Sequence, residues 1–168
     1  MFQVGERVVY SQTGVCEVTA IGPLGFSGMD EKKQYYTLKP LYCEAMVYVP
    51  VDTERPLRPV MSAEEANALI DSIPGVRVEG PDSMDVKLWR ERYRTLTGTG
   101  DSTDLLELVL LIYSKKQRAE ARSKALGQVD QDAMKNAEAL LHGELAVALG
   151  IGLEDVPRYI KKRVGSLA

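Results

Sequence analysis

The sequence predicts an α+β fold, a small antiparallel β-barrel followed by an all-α domain of about five helices. Three observations carry this. The first sixty residues hold short runs rich in β-branched and aromatic side chains, broken by glycine turns. Two prolines, Pro56 and Pro59, then mark a change of character. Beyond them the apolar residues recur at helical spacing between helix caps. The expected domains are 1–58 and 62–168.

Strands are expected at 8–10, 15–21, 33–41 and 45–49, with turns at Thr13-Gly14, at Gly22-Pro23-Leu24-Gly25 and at Gly28. Cys16, Val18 and Ala20 should share the buried face of the second strand, with Glu17 and Thr19 outward. Pro40 cannot donate to a ladder, so the third strand should end there or lie at an edge.

The first helix starts at a capping box, Ser62-Ala63-Glu64-Glu65, where hydroxyl and carboxylate each satisfy a free amide. Ala66, Leu69, Ile70 and Ile73 form its apolar face, Pro74-Gly75 stops it, and a polar stretch over 75–83 follows. A second helix carries Val86, Trp89, Tyr93 and Leu96 and ends at Gly98-Thr99-Gly100. That glycine loop has no preceding strand and no Gly-Lys-Ser/Thr, so it reads as a turn between helices rather than a phosphate cradle. Asp101 or Ser102 can cap the third helix, expected over 103–126. It begins apolar at Leu105 and Leu106 and ends basic at Lys115, Lys116, Arg118, Arg122 and Lys124, where cations suit the helix dipole. The fourth spans 128–149 with Met134, Ala137, Leu141, Leu145 and Leu149 on one stripe. Gly150-Ile151-Gly152 closes it, and a short last helix from Glu154-Asp155 tolerates Pro157 only in its first turn.

With 168 residues, 45% hydrophobic and 27% charged, the chain is an ordinary globular one. It has no apolar run long enough for a bilayer and no secretion signal at its start, so no membrane partner is expected and the cytoplasm is the expected location. Cys16 and Cys43 should be reduced thiols, and without a histidine nearby they make no zinc site. A lone histidine, His142, and the lack of a spaced acid pair argue against an enzyme and against a cofactor or metal. A net charge of −3 excludes a protein that coats duplex DNA by charge alone. The charge is uneven, however: residues 85–124 carry +3 and residues 158–168 carry +4. Nucleic-acid contact, if made, should be local and assisted by a partner.

The candidate contact is Lys87-Leu88-Trp89-Arg90-Glu91-Arg92-Tyr93-Arg94. A flat aromatic among cations can stack on an unpaired base while arginines hold phosphates, so Trp89, Lys87, Arg90, Arg92 and Arg94 form the candidate DNA-binding set. The same residues read equally as an amphipathic helix with Trp89 and Tyr93 on its buried stripe and the arginines in water. Periodicity alone favours the buried reading.

Taken together, these features resemble the CarD family of bacterial transcription regulators. Phe2-Gln3-Val4-Gly5-Glu6-Arg7-Val8-Val9-Tyr10 with Thr13-Gly14-Val15 resembles the start of the family's Tudor-like barrel. Met46-Val47-Tyr48-Val49-Pro50-Val51 resembles the strand shared with the polymerase-interacting module of transcription-repair coupling factors. Trp89 with Arg92-Tyr93 matches the family's tryptophan and Arg-Tyr, and Gly143-Glu144-Leu145 its closing helix. Ser11, Thr13, Tyr48, Glu91 and the apolar Leu110-Leu111-Ile112-Tyr113 depart from the family's pattern. The resemblance implies that the barrel docks on the RNA polymerase β subunit, with Val47, Tyr48, Val49 and Pro50 as polymerase-binding residues. It also implies that the helical domain reaches promoter DNA at the upstream bubble edge, where Trp89 would act as a wedge that stabilises or tunes the open complex. The alternative is an adaptor that docks on polymerase with little DNA contact and binds another protein through its helices. A monomer is expected, with an element-exchanged dimer as the alternative, and association with the nucleoid would come through polymerase.

Overall fold

The computed structural model describes residues 1–25, 32–76 and 86–165, so the expected turn at Gly28 and most of the 75–83 stretch lie outside the described residues. The chain divides into two compact units, Met1–Val60 and Met61–Ala168.

The first unit is a five-stranded antiparallel sheet. Its strands are β1 (Arg7–Tyr10), β2 (Gly14–Gly22), β3 (Tyr35–Pro40), β4 (Val47–Pro50) and β5 (Leu57–Pro59), in the order β4-β3-β2-β1-β5. β5 was not foreseen, because two prolines in a short run argue against a strand. It pairs with β1 through Val8 opposite Pro59 and Tyr10 opposite Leu57. It also ends the sheet, where a residue without an N–H costs the ladder nothing on its outer side.

The core of this unit collects Val8, Cys16, Val18, Leu38 and Val49, with Phe2 packed edge-on to Tyr36 at 5.9 Å. The expected alternation along β2 fails at Ala20. Cys16 and Val18 are buried, but the β2–β3 register slips between Val18 and Ala20, so Thr19 is an extra residue and Ala20 emerges into solvent. The Thr19 hydroxyl donates to the Thr37 carbonyl across the bulge at 3.2 Å.

The second unit contains α1 (Ala63–Asp71), α2 (Val86–Gly98), α3 (Ser102–Ala121), α4 (Gln128–Leu149) and α5 (Val156–Gly165). The capping box forms as read: Glu65 N–H donates to Ser62 Oγ at 3.1 Å and Ser62 N–H to Glu65 Oε1 at 3.3 Å. Asp101 caps α3 by accepting from Thr103 N–H at 2.8 Å. That helix ends earlier than expected, at Ala121, and Ser123 turns the chain with a φ of 57°. Gly150 closes α4 in the left-handed conformation, φ 67°, which a side chain would strain.

The helical core runs through Ile70, Trp89, Leu108, Leu111, Ile112, Leu145 and Val156. Within it Glu144 is buried and accepts the Met61 N–H at 2.9 Å, which fixes the entry of α1 against α4. On the far side of α1, Arg163 of α5 forks onto Asp71 at 2.6 and 2.8 Å, and Tyr159 donates to Asn67 at 2.6 Å.

Candidate functional site

Two places carry the candidate residues, one in each unit. In the helical unit, α2 places Trp89, Tyr93 and Thr97 four residues apart, so one turn after another meets the same neighbours. That face packs on α3 and α4. Trp89 is only 3% exposed and its ring lies 5.6 Å from that of Tyr93. Lys115 of α3 sits over the indole, with Nζ 4.4 Å from the ring centroid, and also contacts Asp130 Oδ1 of α4 at 2.9 Å. The same carboxylate oxygen accepts the Tyr93 hydroxyl at 2.6 Å. Burial, reinforced by the bond to this carboxylate, pushes the Tyr93 phenol well above its ordinary range, so it remains a donor.

The indole is therefore buried in this conformation, whereas a wedge between bases needs it accessible. In this conformation no base can stack on Trp89, because a cation covers its face and the core encloses the rest. Of the two readings left open by the sequence, the buried stripe is the one adopted.

The cations divide. Lys87, Arg90 and Arg94 are exposed, three and seven residues apart on the outer side of α2, with Glu91 exposed among them. Arg92 is half-buried and its Nη2 lies 3.3 Å from Glu107 Oε1 of α3, so it is occupied within the unit.

Lys115 and Asp130 were missed as members of this constellation. Lys115 lay in a basic run that reads as a solvated helix end. For Asp130 a signal existed: it falls four residues before Met134 and seven before Ala137, on the stripe of α4 that is otherwise apolar. A carboxylate at a core position calls for a partner.

In the sheet unit, β4 is an end strand, paired with β3 through Leu38 opposite Val47 and Tyr36 opposite Val49. Its residues alternate. Val49 is 1% exposed and Val47 packs half-buried against the same core, so these two side chains hold the strand in place. Tyr48, 42% exposed, points outward with Met46 before it, and Pro50 is half-buried at the strand end.

Among the described residues no group of three or more His, Cys, Asp or Glu side chains could hold a metal ion, and no helix is long and apolar enough to cross a membrane. A small antiparallel sheet with an outward tyrosine on an end strand is an interaction module in form. Residues 2–61 match the CarD-like/TRCF RID domain, and the N-terminal unit belongs to that domain family. No curated protein matches the chain. The matched domain family is a non-catalytic, RNA polymerase-interacting one, which supports a transcription-associated role for the N-terminal unit.

Proposed function

We propose that this protein is a non-enzymatic transcription regulator that docks on the RNA polymerase β subunit through the β4 edge and brings its helical unit to promoter DNA at the upstream edge of the bubble. The observation that carries the reading is the domain match over residues 2–61, together with the end position of β4. An end strand offers main-chain donors and acceptors to a partner sheet, and Tyr48 adds an outward aromatic anchor. Val47, Val49 and Pro50 shape that edge from behind.

Lys87, Arg90 and Arg94 are the residues that meet DNA, as phosphate contacts on the outer stripe of α2. Docking on polymerase supplies the local concentration that an acidic chain offering three exposed cations on α2 needs. Trp89 serves this interface from within, by holding α2 against Lys115 of α3, and Arg92 serves it by bridging to Glu107. The protein acts as a monomer in the cytoplasm, wherever polymerase is engaged.

The test is the lifetime of open promoter complexes with full-length protein. Reversal of Lys87, Arg90 and Arg94 to glutamate should abolish the effect on lifetime while polymerase binding and the circular dichroism spectrum stay unchanged. An unchanged effect rejects the DNA contact and leaves the second reading, a polymerase-docked adaptor whose helices bind another protein. The furrow between α3 and α4 specifically favours that reading.

A further inference from the structure

We infer that the furrow between α3 and α4 is a docking groove for an amphipathic helix of a partner protein, with the acidic end of that helix at the α3–α4 connection. The furrow encloses about 880 Å³. One wall is the α3 stripe Tyr113, Lys116 and Glu120, spaced by three and four residues. The other is the α4 stripe from Gln131 through Met134, Lys135 and Glu138 to His142. Both walls therefore repeat at one helical turn, the spacing a third helix would interleave. From Gln131 to His142 the α4 wall runs roughly 16 Å, the length of three helical turns.

Its chemistry matches an amphipathic guest. Met134, Leu126 and Ala139 offer an apolar floor, and the large apolar side chains of Tyr113 and Leu153 are 50% and 38% exposed where they line it. Such side chains left in water along a continuous furrow mark a contact surface. Several lining residues are themselves exposed, so this is an open trough suited to a helix rather than an enclosed cavity.

Charge sets the direction. Lys116, Lys124 and Lys135 are exposed and make no ion pair with another described residue. Glu120 and Glu138 stand one turn from Lys116 and Lys135 on their own helices and offset them. Lys124, in the connection, is the cation left over, and it selects an acidic end for the guest.

The probe is a fluorescent synthetic peptide of about 14 residues with leucines at i, i+4, i+7 and i+11 and glutamates concentrated at one end. It is titrated with the full-length protein by anisotropy, beside a scrambled peptide of the same composition and a version with lysines for glutamates. The patterned acidic peptide should saturate and bind at least ~10-fold tighter than either control. Ala139→Arg, which fills the trough from an exposed position, and Lys124→Glu should each weaken it by about tenfold with unchanged melting temperature, whereas Tyr48→Glu should not. Equal binding of the scrambled peptide, or full affinity in Ala139→Arg, overturns the groove. Equal binding of the lysine peptide overturns the acidic assignment. Because Tyr48→Glu separates the two surfaces, failure here and failure of polymerase docking are distinguishable.

Discussion

Trp89 shows how one residue's environment decides between two roles that its sequence leaves open. The indole fills the space between α2, α3 and α4 under the Lys115 ammonium, so Trp89→Ala should leave a large cavity and cost about 3–5 kcal/mol in urea unfolding, with Trp89→Phe costing clearly less. Asp130 holds two groups at once, Tyr93 and Lys115. Asp130→Ala should cost about 2–3 kcal/mol, below a fully enclosed ion pair because Lys115 keeps some contact with water. Two groups also set an alkaline limit. Burial raises the Cys16 thiol from 9.0 to about 12, and the Tyr93 phenol is raised from 10.0. Both are neutral in the fold, so their contribution is complete below the unfolded values and is lost as pH rises beyond them. Melting temperature should therefore fall as pH rises above 9, and Cys16→Ala should show a shallower fall between pH 9 and 12 than the parent chain.

At the scale of elements, the helices were more legible than the strands, for a physical reason. A helix announces itself through local rules, and Ser62, Glu65, Asp101 and Gly150 all occupy the caps that their chemistry suggests. Ser62→Ala should accordingly cost about 1 kcal/mol, and removal of the Glu144 carboxylate by Glu144→Ala, which strands the buried Met61 N–H, should cost about 1–3 kcal/mol, both read by thermal or urea unfolding. A strand depends on what it pairs with. β5 is fixed by β1 far back in the sequence, and the bulge at Thr19 by the register of β3, and neither partner is visible in a local window. The candidate DNA-binding stretch shows the same limit. Helical spacing put Trp89, Tyr93 and the outer cations on opposite faces correctly. Only tertiary structure reveals that Lys115 of α3 covers the tryptophan and is itself held by Asp130 of α4, and that Arg92 is engaged by Glu107.

For the whole molecule, the division of labour follows from the two units. The sheet unit supplies recognition of polymerase, as its domain family indicates, and keeps Val47 and Val49 inside so that Tyr48 stands outside on an end strand. The helical unit supplies two surfaces of different character, a cationic stripe on α2 and the trough between α3 and α4. Docking through β4 is measured most directly by the binding of the protein to immobilised RNA polymerase β subunit, comparing the parent chain with Tyr48→Glu. A charge on the outward face of the strand should lower affinity by about tenfold or more without changing the circular dichroism spectrum or melting temperature. Unchanged affinity of a folded Tyr48→Glu protein would contradict docking through β4.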